Sequence, residues 1–231
     1  MLANIQCAAV VGLDAQSVNV EVDARRAGQA GITIIVGLPD AAVRESSERM
    51  QAAIRNSGLT FPYGKRITVN LAPADLRKEG PAYDLPMALG VLIADAQLPP
   101  DCLDGCLVIG ELSLDGTLRH IRGTLPVADM ARRMEIETIY LPACDAAEAA
   151  LLPGLTVYPV ETLGQLVGHL RNLEPILPLE ATVAFTEQAP LPTTDFAEIQ
   201  GQEHAKRALE VTAAGGHNLI TMCPINTCII R

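Results

Sequence analysis

The sequence predicts a mixed α/β fold: one domain over residues 1–173, a linker over 174–194, and the opening elements of a second domain over 195–231. Three observations carry this reading. Short apolar or period-two runs alternate with stretches of helical period through the first 173 residues. Apolar residues make up 49% of the chain against 19% charged, enough to bury a core. From Glu174 to Thr194 no period persists and prolines recur, as in an interdomain linker.

Ile5 to Val11 is an apolar run, and Val18 to Val22 alternates with the period of a half-buried strand. Ile32 to Val36 reads as a third, fully apolar strand. Gly37-Leu38-Pro39 breaks it, and Asp40 is suited to cap a helix over Ala41–Asn56. That helix places Val43, Met50, Ala53 and Ile54 on one face and Arg44, Glu45, Glu48 and Arg49 on the other, and Gly58 ends it. Ile67–Leu71 is a fourth strand, followed by a charged loop, Leu76 to Gly80, and an apolar helix over Leu85–Ala96.

Leu107 to Leu118 reads as a hairpin turning at Asp115-Gly116. A helix over Leu125–Met134, a strand over Thr138–Leu141 and a short helix over Asp145–Leu151 follow. A strand over Leu155–Val160 and a helix over Thr162–Leu173 complete this half. Beyond the linker, Gly201–Ala214 is helical with Ala205, Ala208, Leu209 and Thr212 on one side, and His217–Met222 begins a strand.

The bulk chemistry narrows the function classes. A formal net charge of −10 argues against a surface that coats phosphates, since non-specific nucleic-acid affinity needs clustered Lys and Arg. The six cysteines (Cys7, Cys102, Cys106, Cys144, Cys223 and Cys228) form no C-x-x-C pair, and they read as structural or incidental thiols with no metal site. The N-terminus lacks the basic and apolar regions of a secretory signal, and no run of about 18 apolar residues occurs. The expected location is cytoplasmic, with no membrane partner.

Two long stretches carry a resemblance. VGLPDAAVRESSERMQAAIRNSG and RITVNLAPADLRKEGPAYDLPMALGVL resemble the N-terminal domain of the ComM/YifB family of magnesium-chelatase-like AAA+ ATPases. DFAEIQGQEHAKRALEVTAAGGHNL resembles the lead-in to the AAA+ module of that family. The resemblance implies a Lon-protease-like α/β domain ahead of an AAA+ motor. It further implies a hexameric, ATP-driven DNA translocase acting in branch migration during natural transformation. ATP and magnesium are implied cofactors of the full-length family, with none expected in this chain. DNA is an implied partner through a module outside these residues.

Lon peptidases use a Ser–Lys dyad, in which a desolvated lysine serves as general base. By the resemblance, the serine follows Gly-Pro, and Gly80-Pro81-Ala82-Tyr83-Asp84 puts Ala82 there. The pattern Ile-Gly-Gly-Leu-Lys is matched by Ile121-Arg122-Gly123-Thr124-Leu125, which puts Leu125 in the lysine position. Both dyad positions are vacant, so the domain is expected to be a scaffold or partner-binding module. Ser46 and Ser47 are expected on the solvated side of their helix, Lys78 and Glu79 in surface ion pairs or capping contacts, and Asp84 as a cap for the helix at Leu85.

A nucleotide site needs G-x-x-x-x-G-K-[ST], whose backbone N–H groups and lysine hold the phosphates. After Leu219 the chain reads Ile220 to Arg231 without it, and the sequence is expected to stop short of the family's ATP-binding loop. Ile199, Gly201 and Gln202 match the motif that helps form the AAA+ adenine pocket and are expected to be its remnant. Residues after about Pro192 are expected to be poorly ordered or to pack opportunistically. The alternatives are a stand-alone, ATP-independent binding module and an active Lon-like serine peptidase.

Overall fold

Nine strands and six helices form in the computed structural model, which describes residues 2–26, 32–179 and 200–220. The chain divides into two units, residues 1–183 and 184–231. In the first, β1 (Leu2–Val11) and β2 (Asp14–Arg26) make a long antiparallel hairpin in which Ile5 faces Val20 and Cys7 faces Val18. Both strands run longer than their apolar segments, because backbone pairing continues where only one face is buried.

β3 (Thr33–Val36), β4 (Lys65–Ala72), β5 (Cys106–Val108), β8 (Thr138–Pro142) and β9 (Thr156–Val160) complete a seven-stranded sheet of order β3-β4-β2-β1-β5-β8-β9. Four of its pairings are parallel, and the two that β2 makes with β1 and β4 are antiparallel. β6 (Glu111–Leu112) and β7 (Leu118–Arg119) form a separate small ribbon. The expected hairpin is therefore shorter than its apolar stretch. Its first strand, β5, leaves to pair with β1 and β8, and Asp115-Gly116 turns β6 into β7 alone.

α1 (Ala41–Asn56) begins where expected: Asp40 Oδ1 accepts the Val43 N–H at 2.8 Å. α2 (Asp84–Ala94) has all eleven residues buried, so no amphipathic stripe marks its ends. It lies against β1 and β2, and Gly90 sets the approach, since a Cβ there would stand 2.5 Å from Val22 Cγ2. Each fully buried Leu of α2 contributes about 2 kcal/mol of hydrophobic stabilisation.

α3 (Thr124–Arg133) packs on β1 and β2, α4 (Ala146–Ala149) on α3 and β9, and α5 (Leu163–Leu170) on β9. The start of the expected linker lies along the sheet edge: Ile176 is buried, and Leu179 N–H donates to the Val157 carbonyl at 2.8 Å.

In the second unit, α6 (Glu203–Gly215) has no buried residue, and Gly216 ends it in the left-handed region at φ 62°. The strand expected from His217 does not form over residues 217–220. Its last two positions lie outside the described residues, as do 180–194 of the linker and residues 193–199 and 221–231 of the stretch expected to be poorly ordered; within that stretch α6 does form.

Candidate functional site

The loop Gly80–Tyr83, the strand ends of β1 and β5, and the segment after β7 converge on one cleft of about 600 Å³. Ala8, Ala9 and Ile109 give it an apolar floor, and Glu79, Glu111, His120 and Arg122 give it a charged rim. Backbone bonds fix its entrance. Gly110 N–H donates to the Ala82 carbonyl at 2.9 Å, and Leu85 N–H donates to the Gly110 carbonyl at 3.0 Å.

Ala82 lines this cleft, and its methyl offers no nucleophile. Leu125 is not among the lining residues: it sits in the first turn of α3, 39% exposed, with its N–H donating to Glu148 Oε1 at 3.1 Å. Of the adenine-pocket candidates, Ile199 lies outside the described residues. Gly201 and Gln202 are exposed ahead of α6, both at positive φ.

Asp84 does not cap α2. Its carboxylate is fully buried and accepts Arg49 Nε at 2.7 Å, Arg49 Nη2 at 3.1 Å and the Leu112 N–H at 3.3 Å. Burial pushes its carboxyl above the usual range, and the Arg49 guanidinium pulls it back. Pairing with Asp84 raises Arg49 in turn. A bidentate fork and a backbone donor suit the ionised carboxylate, so this is a charged clamp joining α1, α2 and β6.

Ser46, expected in solvent, is fully buried because Arg49 Nη2 folds back to donate to its Oγ at 2.9 Å. Ser47 is half-buried and donates to the Arg44 carbonyl at 3.4 Å.

Lys78 is likewise no surface residue. Its side chain is buried, donates to the Pro73 carbonyl, and loses affinity for its proton through desolvation. Its backbone bridges to Pro39 and so holds the loop after β4 against the start of α1. Glu79 does form the expected surface pair, with Arg77 Nε at 3.1 Å. Its worth is small, because both side chains are mostly in water.

His120 marks the rim opposite Ala82, and its Nδ1 lies 2.5 Å from Asp145 Oδ1. Their separation of 25 positions hid this contact in the sequence; only the return of β8 beside β5 brings the turn at Asp145 to the end of β7.

A seven-stranded mixed sheet with helices on it, and a cleft at a Gly-Pro turn without a serine, define the class: a mixed α/β domain, which fits a Lon-like layout. Comparison with known proteins agrees. The family described as subunit ChlI of Mg-chelatase matches residues 20–145, more than half of the chain, and magnesium chelatase, subunit ChlI, matches residues 195–227.

The chain belongs to the ComM/YifB magnesium-chelatase-like family. It is 40% identical over 232 residues to the competence protein ComM of Haemophilus influenzae, covering 98% of this chain and 44% of that protein. It is 40% identical over 216 residues to an uncharacterized protein of Mycobacterium tuberculosis, covering 94% of this chain and 42% of that one. A Lon protease of Brevibacillus choshinensis is 26% identical over 171 residues, covering 69% of this chain and 21% of its own length. The chain spans less than half the length of the ComM and mycobacterial relatives. No helix among the described residues is long and apolar enough to cross a membrane.

Proposed function

We propose that residues 2–179 act as a non-catalytic, partner-binding scaffold of a ComM/YifB-type protein, while ATP-driven work on DNA belongs to an AAA+ module. The carrying observation is the cleft at Gly80–Tyr83. Ala82, which the resemblance aligns with the family's serine, lines it with a methyl, and Leu125, which the resemblance aligns with the lysine, is not among its lining residues. A cleft with an apolar floor, a polar rim and no nucleophile can bind but cannot cleave by that dyad.

The natural partner is the ring of the same family. Hexamer formation, ATP and magnesium enter with that ring, and Gly201 and Gln202 stand at the approach to its adenine pocket. The formal charge of −10 favours protein over DNA as the direct contact of this chain. The test is sedimentation of the full chain mixed with full-length ComM of Haemophilus influenzae, beside an assay on unfolded casein. Co-sedimentation without cleavage supports the reading. Failure to associate sinks the partner role, and cleavage sinks the non-catalytic one.

A further inference from the structure

His120, Cys144 and Asp145 bring an imidazole nitrogen, a sulfur and a carboxylate oxygen within 4.8 Å of one another, and His120 also lines the cleft. We propose that these three side chains bind one divalent transition-metal ion of the zinc type, with a fourth position left for water. This inference is independent of the scaffold reading, because none of the three residues belongs to the dyad positions.

The fold fixes one donor and leaves two adjustable. Asp145 closes the 3-10 turn Ala143–Asp145 between β8 and α4; it is 4% exposed, and its Oδ2 accepts the Ile121 N–H at 2.9 Å. That bond ties the turn to the segment after β7 and aims Oδ1 at His120. The His120 side chain is 67% exposed, and Cys144 is exposed on the same turn, so small side-chain rotations bring both to metal–ligand distances of about 2.0–2.3 Å.

The donor set selects the ion. A thiolate and an imidazole suit zinc or cobalt and disfavour calcium and magnesium, which take oxygen ligands. Thiolate and carboxylate together neutralise a dication, and the same cation relieves the repulsion between two adjacent anions. Three protein ligands leave one coordination position for water. Because His120 also lines the cleft, the ion would stand at its mouth.

The experiment is a cobalt(II) titration of the full, reduced, metal-free chain, followed by absorption. Thiolate-to-cobalt charge transfer in the near ultraviolet is expected to saturate at one equivalent and to bleach on adding zinc. C144S is expected to abolish the band, H120Q to weaken binding by at least about tenfold, and C102S/C106S to leave both unchanged. Zinc should raise the Tm of the native chain and leave that of H120Q unmoved. No saturable band, or a band that survives in C144S, overturns the proposal.

Discussion

Arg49 of α1 grips Asp84, in the first turn of α2 and 35 positions further along the chain, through two guanidinium nitrogens at 2.7 and 3.1 Å. The carboxylate has no exposed surface, whereas the arginine side chain keeps 21% of its own. The pair therefore sits at the border of core and water, directly behind the Gly80–Tyr83 turn. Removing one partner strands a buried charge, and removing both does not.

Asp84→Ala is expected to destabilise the chain by about 3 kcal/mol in urea unfolding. The double variant R49M/D84L is expected to lose markedly less, because the two effects couple. Equal losses in single and double variants would show that the ion pair is not what the site needs.

Gly90 is the closest approach of α2 to the sheet, with Val22 Cγ2 2.5 Å from the place of a Cβ. Gly90→Ala gains up to about 1 kcal/mol of helix propensity. Overpacking is expected to cost about 1–3 kcal/mol and to win. Adding V22A should recover most of the loss, and a stabilised G90A would mean the layers part more easily than packed cores do.

Folding disfavours the charged form of His169. Ile176 N–H donates to its Nδ1 at 2.9 Å, so Nε2 carries the proton and donates to Tyr140 Oη at 3.3 Å. Desolvation lowers its affinity for a second proton. The unfolded chain then binds that proton first, so stability is full above pH 6.5 and falls as pH drops through the folded pKa. The slope stays below about 1.4 kcal/mol per pH unit, the one-proton ceiling, since the ring is partly exposed. Thermal melts from pH 7.5 to 5 check this, and His169→Gln is expected to flatten the profile over pH 5–6.5.

Local signals carried the legible part of the fold. Asp40 and the 3.6-residue stripe Val43–Met50–Ala53–Ile54 define α1 to the residue, because cap and stripe are both written within one segment. The ends of α2 were less legible, since burial on every side erases the stripe. β5 has three residues and takes its identity from β1 and β8, which no pattern inside Cys106–Val108 announces.

The candidate site shows the same division. Ala82 was singled out only through the family resemblance, and the fold puts it on the cleft wall. Ser46 and Lys78 read as surface residues because their chemistry is polar, yet both are buried against partners that only the tertiary fold supplies. The meeting of His120 with Cys144 and Asp145 depends on parallel strand return, so it left no spacing signature.

The most direct test of a cleft without a nucleophile is mass spectrometry of the full chain after exposure to a fluorophosphonate, which labels activated serines. The expected spectrum shows the unmodified mass beside full labelling of a control serine hydrolase. A stoichiometric adduct on Ser46, Ser47 or any other serine would contradict the assignment and restore a hydrolytic role to the domain.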